Sequence, residues 1–231
     1  MLRQPITLDP NRGAGLVRAT DASAKGRSGA LNHAFAAIGA QMVFERNVEI
    51  FGEAEPAEFF YQVVSGAVRT HKMLEDGRRQ IGGFYLPGEV FGLEAGEEHG
   101  FGAEAVVRSV VRVAKRSAIL AMAERDPSLA QALWSAAAGG LRAAQEHMLV
   151  LGRKTAEERV ATFLLDIARR EDSREIIELP MSRQDIADYL GLTIETISRT
   201  MTLLENEAAI ELPNARKVVM RSKGRLQALN A

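Results

Sequence analysis

The segment MSRQDIADYLGLTIETISRTMTLLE, residues 181–205, sets a lone glycine between two short amphipathic runs. Ser182 and Asp185 have the spacing of a helix N-cap, and Ile186, Ala187 and Leu190 give the first run one apolar face. Gly191 supplies a turn position where a side chain is costly, and Thr193 can cap the second run. There Ile194, Ile197, Met201 and Leu204 recur at steps of three, four and three, a stripe that can be buried. Two helices that meet steeply over Ala187 and Gly191 make a helix-turn-helix.

The other face of the second helix carries Glu195, Thr196, Ser198, Arg199 and Thr202. A surface helix with an i,i+4 ion pair, stabilised by about 0.2–0.5 kcal/mol, is one account of it. The alternative is a reader. The N-terminal end of a recognition helix points at base edges in the major groove, where Arg199 can donate twice to guanine and Glu195 can accept from cytosine. Thr196 and Ser198 add base or phosphate contacts, and Ile194 can meet a thymine methyl.

Downstream, AIELPNARKVVMRSKGRLQAL alternates as two short strands about a PNARK turn, the pattern of a wing. From Leu212 to the end, Arg216, Lys217, Arg221, Lys223 and Arg225 meet no carboxylate side chain. Taken alone, such a run is a solvated surface; beside a helix-turn-helix it is expected to meet phosphates. Ser182, Arg183, Thr193, Arg216 and Lys217 are the expected phosphate contacts.

Upstream, EFFYQVV, AVRTHKML and QIGGFYL are separated by SG, EDG and PGEV, with glycines at 66, 77 and 88. That regular spacing suits antiparallel strands joined by tight turns, hence a small barrel or jelly roll. DPSLAQALWSAAAGGLRAAQEHMLVLGRK then opens with a proline and a capping serine. It sets Ala130, Trp134, Ala137, Leu141, Ala144, Met148 and Leu151 on a heptad seam. Such a seam either packs on the barrel of its own subunit or, as expected here, joins two copies; Trp134, Ala137, Leu141, Ala144, Met148 and Leu151 are the dimerisation candidates. Thr155 and Glu158 form a capping box for the next helix, and EIIELP is a short strand ended by Pro180. The expected division is a mobile arm over 1–30, a sensor-like β-roll over 31–125, a dimerisation helix over 126–153 and a winged helix-turn-helix over 154–231.

Composition limits the function. The net charge of −1 offers no global attraction to a polyanion, so nucleic-acid binding has to come from local charge. The 231 residues include no cysteine, which excludes disulfides, thiolate catalysis and cysteine-held zinc or iron–sulfur centres. No metal site and no cofactor is expected. The N-terminal stretch lacks the apolar run of a secretory signal, and no segment is apolar enough to span a bilayer, so a cytoplasmic protein is expected. No P-loop, G-x-S-x-G elbow or H-E-x-x-H motif suggests an enzyme.

SRQDIADYLGLTIETISR closely resembles the helix-turn-helix of the CRP/FNR superfamily. ETISR matches its FNR-type rather than its CRP-type recognition helix, which has glycine where Ser198 stands, and the chain after residue 30 looks most like the FixK-type branch. The resemblance implies an α+β fold: a cyclic-nucleotide-binding-like β-roll, a long dimerisation helix and a C-terminal winged helix-turn-helix. It implies a homodimeric regulator binding double-stranded DNA at a TTGA-N6-TCAA-like palindrome, with Glu195, Ser198 and Arg199 on bases. RNA polymerase is an implied partner, and by analogy the turn with Asp76, Arg78 and Arg79 is a candidate contact surface; its paired arginines depart from the acidic family pattern, and a plain hairpin turn is the alternative account. The FixK-type likeness further implies genes of low-oxygen or respiratory metabolism and a regulator controlled through its amount.

Members that hold cyclic nucleotide use a glutamate soon after a glycine and an Arg-Ser pair. Aligning Gly92 with that glycine puts Leu93 at the glutamate, Ala103 at the arginine and Glu104 at the serine. Leu93 cannot hold a ribose hydroxyl, Ala103 brings no charge and Glu104 repels phosphate, so the usual pose is not expected. A five-residue shift would restore a pair as Arg108-Ser109. Gating by haem through His33, His71, His99 or His147, or by nucleotide, is the alternative function. Some FixK-type regulators carry a redox-reactive cysteine near the start of the first motif helix, where Ser182 stands; either such control is absent here or the serine replaces a cysteine.

Overall fold

The computed structural model describes residues 21–171 and 175–229. The expected arm lies outside the described residues as far as residue 20. From there an unanticipated helix α1 (Asp21–Ile38) leads into the first domain. Leu31, Ala34 and Phe35 bury its inner stripe against Ile119 of α2 (Arg116–Ala123) and Leu129 and Ala132 of α3 (Pro127–Arg153).

Eight strands build the roll: β1 (Ala40–Phe44), β2 (Glu49–Phe51), β3 (Phe59–Ser65), β4 (Val68–Met73), β5 (Arg79–Tyr85), β6 (Val90–Phe91), β7 (Gly102–Ala105) and β8 (Ser109–Lys115). They form two antiparallel four-stranded sheets, ordered β1-β8-β3-β6 and β2-β7-β4-β5. The three expected turn glycines have φ of 85° at Gly66, 83° at Gly77 and 90° at Gly88, a region other residues enter only with strain. At Gly66 a Cβ would also lie 2.3 Å from Ser109 Oγ.

The long helix α3 is capped by Asp126, which accepts from the backbone N–H groups of Ser128 and Leu129, rather than by the expected serine. Pro127 follows at its first position. The expected box closes on α4 (Ala156–Arg170): Glu158 accepts from Thr155 N at 2.6 Å, and Thr155 Oγ1 accepts from Glu158 N at 3.4 Å.

After β9 (Ile176–Glu178) come α5 (Arg183–Leu190), α6 (Ile194–Asn206), β10 (Ile210–Asn214), β11 (Lys217–Met220) and α7 (Lys223–Leu229). The C-terminal sheet is ordered β10-β11-β9, so the EIIELP strand braces the wing from behind. One cluster of buried apolar side chains runs from Ile81, Phe84 and Leu86 of the roll into Val160, Leu164, Ile186, Leu190 and Met201. The two domains therefore pack together. Among the described residues no helix is long and apolar enough to cross a membrane.

Candidate DNA interface

Ser182 and Asp185 satisfy each other's backbone: Asp185 Oδ2 accepts from Ser182 N at 3.0 Å, and Ser182 Oγ accepts from Asp185 N at 3.1 Å. Gly191 ends α5 with φ 61°, the left-handed cap, and its N–H returns to the Ala187 carbonyl. Thr193 Oγ1 then caps α6 by accepting from Thr196 N at 3.2 Å. Ile186, Ala187 and Leu190 of α5 and Ile197, Met201 and Leu204 of α6 are buried, which locks the two helices as one unit. Ile194 departs from the expected stripe. It stays 38% exposed, and Thr200 is buried.

Glu195, Ser198, Arg199 and Thr202 are exposed on one face of α6, with Thr196 half-buried beside them. The Ser198 hydroxyl donates to the Ile194 carbonyl at 2.8 Å, which leaves its lone pairs as acceptors. The backbone N–H of Glu195, the Thr193 hydroxyl and the charge of Arg199 hold the Glu195 carboxyl below the usual carboxylate range. Among the described residues Glu195 and Arg199 close no direct salt bridge, and Arg199 acts on the carboxylate only through its charge.

Arg183, half-buried at the first turn of α5, has its Nη1 buried without a hydrogen-bond partner, and burial pushes its guanidinium pKa down. A cation in that state gains most from an incoming anion. On the wing, Asn214 Oδ1 accepts from the N–H groups of Arg216 and Lys217, both at 2.9 Å, and shapes the turn. Arg216 is exposed and Lys217 half-buried. The five cations are not all free, however. Arg221 pairs with Glu211, and Arg225 with Glu207 at 2.8 Å, carboxylates just upstream of the window that had shown none.

Other expected residues lie elsewhere. On α3, Trp134 is 75%, Leu141 64% and Met148 65% exposed, and Ala137 and Ala144 are also exposed, with Leu151 half-buried. The seam does not pack on its own roll; on the opposite side Leu129 and Ala132 pack with Phe60, Ala114 and Ile119, and Val150 joins the cluster of Val160, Leu164 and Leu190. Asp76 and Arg78 close an exposed pair at 2.7 Å in the β4–β5 turn. Arg79 leaves that surface and points at the first motif helix, donating to Asp188 Oδ2 at 2.9 Å and to Asp185 Oδ1 at 2.6 Å.

Sequence reasoning missed this junction. Arg69 joins it, donating to Asp185 Oδ1 at 3.1 Å, to Glu104 Oε2 at 2.5 Å and to Asn47 at 3.2 Å. Burial opposes the ionisation of Asp185, yet the Ser182 N–H and hydroxyl together with Arg69 and Arg79 hold its carboxyl below the usual range. Arg170 adds two bonds to Glu89, at 2.9 and 2.6 Å. Arg159 reaches the Leu151, Lys154 and Leu190 carbonyls at 2.8, 2.9 and 2.8 Å. No local spacing signals such partners, which stand up to 116 positions apart.

A family model described as a Crp-like helix-turn-helix domain matches residues 158–229, and one described as a cyclic nucleotide-binding domain matches residues 41–126. The chain is 52% identical over 201 residues to the nitrogen fixation regulation protein FixK of Azorhizobium caulinodans, covering 85% of this chain and 81% of that one. It belongs to the CRP/FNR family, FixK type. The nitrogen fixation regulation protein FixK of Rhizobium meliloti is 46% identical over 74% of this chain and 77% of its own. The structure of FixK2 from Bradyrhizobium japonicum, 51% identical, matches with a TM-score of 0.81 over 84% of this chain and 98% of that one. The CRP/FNR family is one of transcription regulators, not enzymes, and its β-roll, long helix and C-terminal helix-turn-helix are the architecture found here.

The interior of this CRP/FNR roll is occupied by rings. Phe51 stacks on His99 at 3.7 Å between centroids, and Tyr61 lies 4.8 Å from Phe51 and 5.2 Å from Phe91. Gly92 has φ 74°, and a Cβ there would meet the Tyr61 ring at 2.7 Å. Leu93 packs among the apolar side chains between α1, α2 and α3, Ala103 is buried in the roll's core, and Glu104 is engaged by Arg69. Of the shifted pair, Arg108 is on the surface with Glu45 at 3.1 Å, and Ser109 bonds the Ala67 backbone inside the turn. The four histidines are dispersed. His33 is exposed, His71 lies 3.7 Å from Glu104, His99 is buried against Phe51, and His147 stacks on Tyr189 at 4.0 Å.

Proposed function

We propose that the chain works in the cytoplasm as a homodimeric activator that reads a TTGA-N6-TCAA-like inverted repeat. The observation that carries this reading is the exposed Glu195–Ser198–Arg199 face at the start of α6. Arg183 and Thr193 beside it and Arg216 and Lys217 on the wing flank it with phosphate contacts, and Ser182 holds the first turn of α5. The exposed Trp134, Leu141 and Met148 support a helix-to-helix dimer. Similarity to regulators named for nitrogen fixation supports control of low-oxygen or respiratory genes. The exposed Asp76–Arg78 turn supports a polymerase contact there, one that excludes Arg79.

DNA binding in this reading requires neither cyclic nucleotide nor an iron–sulfur cluster. The ring-filled roll, Ala103 and the engaged Glu104 support the first point, and the cysteine-free sequence the second. In gel shifts with no added ligand, Arg199→Ala is expected to lose about 1–3 kcal/mol at the cognate duplex and to relax base preference at one position. Lys217→Ala is expected to weaken binding to every sequence alike. Equal loss for Arg199→Ala on scrambled DNA would remove its base-reading role.

A further inference from the structure

The polar junction between roll and winged domain is built unlike a surface ion pair. The side chains of Arg69 and Asp185 are each only 6% exposed, and those of Asp188 and Arg79 14% and 22%. Single buried charges of this kind are costly unless every partner is in place, so the cluster tolerates one arrangement and disfavours neighbouring ones. Asp185 is its centre. One carboxylate oxygen receives a guanidinium from β4 and another from β5, while the second oxygen caps the backbone of α5. Because α5 and α6 share a core, whatever fixes α5 fixes the reading helix.

We infer that Arg69, Arg79, Asp185 and Asp188 are positioning residues for DNA reading: they set the angle of α6 relative to the roll, and so to α3, with no bound ligand. The inference rests on the proposed dimeric reading of a palindrome. In a dimer both recognition helices engage one duplex only if their separation and tilt are held, and the second contact then benefits from a high effective concentration. Loosening the junction removes that benefit and leaves each reading face chemically intact.

The test compares two duplexes, one with the inverted repeat and one with a single half-site and a scrambled second half. Arg79→Gln is expected to lower the ratio of their affinities by about tenfold while half-site binding stays within about twofold. Arg79→Lys, which keeps one charge, is expected to recover part of the ratio. The melting temperature and the dimer mass are recorded alongside. Should Arg79→Gln fail to fold, Asp188→Asn opens the junction from the other side and carries the same expectation. An unchanged ratio, or an equal fall on both duplexes in a folded variant, overturns the positioning role. If the unaltered protein does not prefer the inverted repeat, the dimeric reading itself falls and this inference with it.

Discussion

Gly66 and Gly77 share a backbone conformation and differ in their surroundings, which separates two costs usually met together. At Gly66 a methyl group would press on Ser109 Oγ and on the Arg108 carbonyl, at 2.3 and 2.7 Å; at Gly77 none of the described residues stands within 4 Å. Gly77→Ala is therefore expected to cost only the left-handed penalty, about 1 kcal/mol, and Gly66→Ala on the order of 1–3 kcal/mol more, because backbone has to move. Urea denaturation of both variants checks the ranking. At this scale the sequence was readable wherever the physics is local. The glycine spacing, Ser182 with Asp185, Thr155 with Glu158 and Thr193 all act within a few residues of themselves. Arg79 was misread for the complementary reason: its partners are 106 and 109 positions away, while its sequence neighbours suggested a surface turn.

Among the elements, α3 has two unlike sides. Leu129, Ala132 and Val150 face the protein, and the heptad positions face outward. Leu141→Glu places a carboxylate in the exposed stripe and is expected to convert the proposed dimer to monomer without lowering the helix content, as measured by sedimentation and circular dichroism. The period of that stripe was legible from sequence. The helix α1 was not, because DASAKGRSGALNHAFAAI is rich in small residues and has few large apolar ones, Leu31 and Phe35 among those it buries. The wing was legible as strands but not as charge, since Glu207 and Glu211 cancel part of it from the preceding turn and strand.

For the molecule as a whole, proton linkage follows from what the domain contact buries. Burial lowers the His147 pKa from its ordinary 6.5, and Arg159 adds to this against a hydrogen bond that the ring donates to the Tyr189 backbone. A ring held neutral binds fewer protons when folded than when unfolded, so stability falls as pH drops below about 6.5. Asp185 has the same sign in a lower window: its depressed pKa adds stability that is fully present above the ordinary carboxylate range and is lost as pH falls from that range through its folded value. Denaturation midpoints are therefore expected to decline from about pH 7.5 to about pH 5.5, and His147→Phe, which keeps the stack on Tyr189, is expected to flatten that slope. Urea titrations at the two pH values measure it. None of this long-range pairing was legible in sequence, because it depends on which surfaces two separately folded halves turn toward each other.

Arg159 gives the connection its mechanical character. One planar cation is tied at once to the last turn of the long rod, to the bend after it and to the corner between the motif helices. Such an elbow does not flex independently of what it joins. In the proposed dimer, the angle at which two copies cross along their rods is therefore expected to pass to the span between their two reading tips, so that a change of a few degrees at the crossing becomes a change in how far apart the tips land on the double helix.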